Sequence, residues 1–133
     1  PYSFRVFALN RAPETVPAAF AMGDTVRGEA VSPIGDIDEF AGSGAPGETV
    51  NVWWHLTADP APTDGVIWMD VLDAATGVTL GGGYGLIRAS QVFYQLGPFV
   101  VPAGGYKVRV KAYGLFGDNT ATAPYEFVGK RGP

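Results

Sequence analysis

The sequence has no cysteine, one histidine and two methionines, and no apolar run of membrane-spanning length. The lack of cysteine excludes a disulfide framework and any thiolate metal site. A transmembrane helix needs about 20 consecutive, predominantly apolar residues, so no membrane span is expected. Positive charge is also scarce. Nine Lys and Arg against 13 Asp and Glu leave a net charge of −4, which argues against nucleic acid and anionic membranes as partners. There is no visible leader peptide, and the sequence begins with Pro1 rather than Met. A processed end, or the edge of a piece of a longer chain, is the expectation.

Glycine and proline are abundant, at 19 and 11 of 133 residues, about twice average usage together. In a disordered chain that excess would come with few large apolar residues. Here 47% of residues are hydrophobic and 13% aromatic, so Gly and Pro read as turn punctuation in an all-β domain. The length fits one domain with a real core.

The hydrophobic period is 2 rather than 3.6. Along "YKVRVKAY" (residues 106–113), Tyr106, Val108, Val110 and Ala112 share one face, and Lys107, Arg109 and Lys111 share the other. That is a strand with one side buried and one in water. A second strand runs over residues 48–56 (ETVNVWWHL), and residues 65–72 (GVIWMDVL), apolar on both faces, predict a central strand. Further strands are predicted at 25–30, 37–43, 90–96, 98–101 and 124–128. One helical turn is predicted around 17–22, and "GGGYG" at 81–85 reads as a hairpin loop. Turn signals every 8–15 residues suit a sandwich or barrel, with Tyr106, Val108, Val110, Val50, Val52 and Phe40 in its core.

The two ends of the sequence resemble each other. "PYSF" at residues 1–4 matches "PYEF" at 124–127, and "NRAP" at 10–13 matches "KRGP" at 130–133 after a two-residue gap. A self-match at about one domain length is a repeat signature. It predicts residues 1–13 as a strand and linker resembling the end of a preceding repeat, residues 14–133 as one domain, and a new linker beginning at Lys130. Tyr2, Phe4 and Val6 would form the apolar face of an assembly strand.

The residues suited to chemistry are few. His55 is predicted to face the same way as Trp53 and opposite to Trp54. None of the four serines (Ser3, Ser32, Ser43, Ser90) sits in a G-x-S-x-G context, so no catalytic residue is expected. Asp36 and Asp38 are two apart, on one face of a strand, and are the candidate calcium ligands. The simpler expectation is that Asp36 closes a turn, Asp38 bonds nearby backbone and Phe40 enters the core. Asp70 and Asp73 form another carboxylate pair. Trp53, Trp54 and Trp68 are candidates for ligand stacking; the adjacent Trp53 and Trp54 must face opposite ways. The Lys107, Arg109 and Lys111 stripe reads as a solvated face, or as half of a charged contact with an acidic neighbour such as residues 36–39.

Four stretches in order resemble the bacterial pre-peptidase C-terminal domain family. They are "GDIDEF" with Gly35, Asp36, Asp38 and Phe40, then "GETV" with Gly47, Thr49 and Val50. "MDVLDAATGVTLGGG" follows, and then "VPAGGYKVRV" with Pro102, Gly105, Tyr106 and Val108. "APYEFVG" resembles the family's closing strand. The resemblance spans residues 23–128. It implies an antiparallel jelly-roll-like β-sandwich. It also implies an accessory module of secreted bacterial hydrolases, or a tandem unit of large surface proteins, not a catalyst. Some relatives hold calcium through an acidic segment before the first strand. The corresponding stretch here, "NRAPETVPAA", offers only Asn10 and Glu14.

Together these readings predict a non-catalytic extracellular or cell-surface bacterial module that self-associates head-to-tail through its N-terminal strand or as adjacent repeats. The alternative is a carbohydrate- or protein-binding accessory module of a secreted hydrolase, its partner a polysaccharide or a protein matrix. No cofactor is expected.

Overall fold

A computed structural model describes residues 19–32, 36–58, 66–86, 94–113 and 122–132. Among the described residues nine strands follow one another: β1 (Ala19–Phe20), β2 (Thr25–Val31), β3 (Ile37–Gly42), β4 (Thr49–Leu56), β5 (Val66–Asp73), β6 (Thr79–Leu86), β7 (Tyr94–Val100), β8 (Tyr106–Tyr113) and β9 (Ala123–Arg131). They form a five-stranded sheet, ordered β1-β3-β8-β5-β6, and a four-stranded sheet, ordered β2-β9-β4-β7. Apart from β1 pairing parallel with β3, every pairing is antiparallel. Successive strands mostly switch sheets, which makes this a jelly-roll-like sandwich.

The core lies where the alternating residues put it. Tyr106, Val108, Val110 and Ala112 of β8 are buried, as are Phe40, Val50 and Val52. Aromatic rings join the sheets across the core. Phe127 packs edge-on against Phe40 at 5.2 Å and against Phe20 at 5.0 Å, and Phe99 against Tyr106 at 5.0 Å. Edge-to-face contacts at this spacing align the positive ring edge with a negative ring face. As predicted, β5 is central, between β8 and β6.

Several local expectations are corrected. Ala19 and Phe20 are a strand rather than a helical turn: Phe20 buries its ring while its carbonyl accepts from the Ser43 N–H. Gly81 to Gly85 lie inside β6, not in a loop. Pairing with β5 overrides their poor strand propensity, and at Gly81 the backbone of Gly97 on β7 comes close enough that a Cβ would meet its nitrogen at 3.5 Å. The two strands predicted at 90–96 and 98–101 are one described strand, β7, with Pro98 at a sheet edge where a missing N–H is tolerated. Residues 90–93 lie outside the described residues. Lys130 and Arg131 do not begin a linker. They extend β9 and pair with Asn51 and Val50.

Candidate functional site

The acidic motif sits at the end of the sandwich where β2 turns into β3. Asp36 accepts the Ser32 N–H at 2.9 Å. Asp38 is buried beside Phe40, and its Oδ2 accepts the Tyr125 hydroxyl. The phase of β3 points Asp38 into the sandwich, where it meets this side chain of the opposite sheet.

Glu29 joins this end because of a bulge. The register between β2 and β9 shifts between Val26 and Glu29, and Gly28 takes φ 77°, a conformation that suits glycine. The extra residue turns Glu29 inward. It is 5% exposed, and its Oε1 has no hydrogen-bond partner among the described residues. Burial, helped by the charge of Asp36, pushes its carboxyl above the usual range. Among the described residues no group of three or more His, Asp or Glu side chains is placed to hold a metal ion.

The linkage follows from this raised carboxyl. A folded-state pKa above the unfolded value stabilises fully below about 4.5, the ordinary value, and that stability is lost as pH rises through the folded pKa. Glu29→Gln, which removes the charge, should therefore stabilise at pH 7 by on the order of 1 kcal/mol, or about 4 °C in thermal midpoint. The gain should vanish near pH 4. A gain that persists at pH 4 would mean that charge is not the cause.

The stripe on β8 is neutralised within its own sheet. Glu39 of β3 meets Arg109 at 2.6 Å and Lys107 at 3.1 Å, and Asp70 of β5 meets Lys111 at 3.1 Å. Burial pushes the Glu39 carboxyl up, but hydrogen bonds and charges from Lys107 and Arg109 outweigh it and hold the group below its usual range. Trp68 donates its Nε1–H to Asp70 on this same face. Asp73 accepts the N–H groups of Ala75 and Thr76 in the β5–β6 turn.

The three tryptophans do not form a row. Trp54 is fully buried, Trp68 lies on the outer face of one sheet and Trp53 on that of the other. His55 shares the outer face with Trp53, as predicted, and its Nε2 lies 2.6 Å from Glu126 Oε1. Arg27 approaches the same carboxylate at 3.6 Å. Tyr2, Phe4, Val6, Asn10 and Glu14, with Ser3 and Ser90, lie outside the described residues.

Around Trp53 the outer face of the four-stranded sheet forms a groove of about 320 Å³, lined by Thr25, Arg27, Trp53, Glu126, Val128 and Lys130. Register places the groove. Thr25 pairs with Val128, and Val128 with Trp53, in one row across β2, β9 and β4. Lys130 Nζ stands 5.9 Å from the centroid of the Trp53 ring. Beside it Gln95 donates to Asn51 Oδ1, and Asn51 donates to the Gly132 carbonyl, so a hydrogen-bonded clamp fixes the β4–β7 margin. Sequence reasoning found Trp53 and His55 here but missed Glu126, Arg27 and Lys130, which only strand register brings together.

Chemically, the groove offers an aromatic plane, two cations and one carboxylate already engaged by His55. These are the elements of a ligand-binding face. Comparison with family models, with curated proteins and with solved structures finds no match. Among the described residues, no helix is long and apolar enough to cross a membrane.

Proposed function

We propose that this chain is a non-catalytic structural or adhesive β-sandwich module of a bacterial cell surface, a repeat unit or subunit that joins its neighbours through residues 1–9. The position of β9 carries this reading. β9 holds the second copy of the terminal motif and runs between β2 and β4, with Tyr125 and Phe127 buried in the core. Tyr2 and Phe4 repeat that pair at the same spacing, followed by Val6. Residues 1–9 thus carry the apolar face of a core-forming strand, in a domain whose β9 already supplies one. An unpaired apolar strand seeks a sheet edge. Its addition to a neighbour is β-strand addition, and head-to-tail addition builds open filaments. The motif resemblance to pre-peptidase C-terminal domains, which occur in tandem in surface proteins, agrees with this reading.

Deleting residues 1–9 should leave a folded monomer with an unchanged thermal midpoint and no self-association in analytical ultracentrifugation. If the deletion unfolds the domain, the strand belongs to its own sheet and the proposal fails.

The Trp53 groove favours a second reading, that of a binding accessory module of a secreted hydrolase. On that reading the outer face of the β2-β9-β4-β7 sheet meets a polysaccharide or protein.

A further inference from the structure

We infer that the Trp53 groove takes an anionic polysaccharide, with a uronic-acid ring displacing the Lys130 ammonium from the Trp53 ring to stack there, its carboxylate paired with that ammonium and a further carboxylate of the chain paired with Arg27. This rests on the accessory-module reading and specifies the ligand class of that same face.

The two outer faces of the sandwich differ in how their charges are used. On the five-stranded sheet, Lys107, Arg109 and Lys111 each have a carboxylate within 3.1 Å. Those charges are spent within the sheet, and the face has little left with which to attract a ligand. Arg131 is likewise held by Glu48 at 2.8 Å. In the groove the balance is different. Lys130 has no carboxylate partner among the described residues, and its ammonium instead stands over the Trp53 ring. Arg27, with a side chain 72% exposed, approaches Glu126 only at 3.6 Å, while His55 holds the same carboxylate at 2.6 Å. Although the chain as a whole is acidic, this patch carries cationic groups in excess of its one carboxylate. An incoming carboxylate would give Lys130 the partner that it lacks, and a bidentate contact with the Arg27 guanidinium is available.

The shape selects among anions. The groove lies on a sheet face rather than along an edge, so a peptide could not use main-chain pairing there. Its floor is an aromatic plane, which suits the C–H face of a sugar ring. It follows β9 from Lys130 to Glu126, four residues or about 14 Å at the strand rise. That is room for more than one ring, so an extended chain fits better than a single small anion. Glu126, fixed by His55, and Thr25 supply hydroxyl-bonding groups along the floor.

The test uses the full chain, with calorimetric titration and tryptophan fluorescence as readouts and Trp53→Phe to assign the signal. The probes are an oligogalacturonate, its fully methyl-esterified form and polyglutamate. The oligogalacturonate should bind and perturb Trp53. Its affinity should fall at least tenfold on esterification, and similarly in Lys130→Gln, an exposed substitution whose thermal midpoint should be unchanged. Equal binding of acid and ester would overturn the anionic assignment while leaving the accessory-module reading intact. Polyglutamate binding as tightly as the uronate would overturn the saccharide assignment in favour of an acidic protein partner. Failure of both saccharides to bind would overturn this inference, and failure of polyglutamate as well would overturn the accessory-module reading with it.

Discussion

Val108→Asp is expected to leave the isolated chain unfolded at 25 °C. Val108 is fully buried at the middle of β8. Its partners in register are Phe40 on β3 and Val71 on β5, both also fully buried. Among the described residues no cation of this sheet reaches the inner face, because Lys107, Arg109 and Lys111 alternate away from it and are engaged outside. A carboxylate at this position would lose its hydration without gaining a partner, a cost of several kcal/mol. Removing the valine side chain forfeits about 1.5–3 kcal/mol more. A domain of this size is stable by about 5–15 kcal/mol, so the substitution consumes most or all of that margin. Val108→Ala, which leaves a small cavity and no charge, should cost about 2 kcal/mol and remain folded. Circular dichroism and thermal melting separate the outcomes. An unchanged midpoint in Val108→Asp would mean that the inward phase of β8 is wrong.

That phase was legible in the sequence because β8 alternates without interruption between an apolar and a basic set. The strands of the VNVWWHL and VIWMDVL stretches were legible for the same reason: alternation, or apolarity on both faces, is a local property of the chain. The opposed faces of Trp53 and Trp54 also follow from chain geometry alone. Which of the two is buried depends on the face of β4 against which the five-stranded sheet packs, and that is the face of Val50 and Val52. Glu29 shows how one residue defeats the pattern. Alternation from Val26 would put Gly28 and Ala30 inside and Glu29 in water. The bulge at Gly28 reverses this and buries a carboxyl. A glycine in a strand suggests such a bulge but does not fix it. The groove was hidden for another reason. His55 and Glu126 are 71 residues apart, and only the antiparallel register of β4 with β9 sets them side by side.

The second large effect is expected where the two sequence motifs meet inside the protein. Tyr125, from the C-terminal copy of the repeated motif, donates its hydroxyl to Asp38 of the acidic motif. Both residues are 1% exposed, and they belong to opposite sheets, so this hydrogen bond crosses the sandwich interior. In such a low-dielectric setting a hydrogen bond to a carboxyl gains strength, and loss of its donor leaves the acceptor poorly solvated. Tyr125→Phe keeps the ring that stacks on Phe127 at 6.4 Å and removes only the hydroxyl. It should cost about 1–3 kcal/mol, on the order of 4–12 °C in thermal midpoint. Asp38→Ala should be destabilising by itself, and the pair of substitutions should be less damaging than the sum of the two. A coupling energy of about 1–2 kcal/mol in this double-mutant cycle is expected for residues in direct contact. Additivity within about 0.3 kcal/mol would show that the bond does not hold the sheets together. A positive result also bears on assembly. Tyr2 occupies in the N-terminal motif the place that Tyr125 holds in β9, so in the proposed assembly a strand added to a neighbouring unit would bring a second tyrosine hydroxyl. Tyr2→Phe should then weaken self-association measured by sedimentation while leaving the monomer's thermal midpoint unchanged, and an unaltered association constant would show that Tyr2 docks through its ring alone.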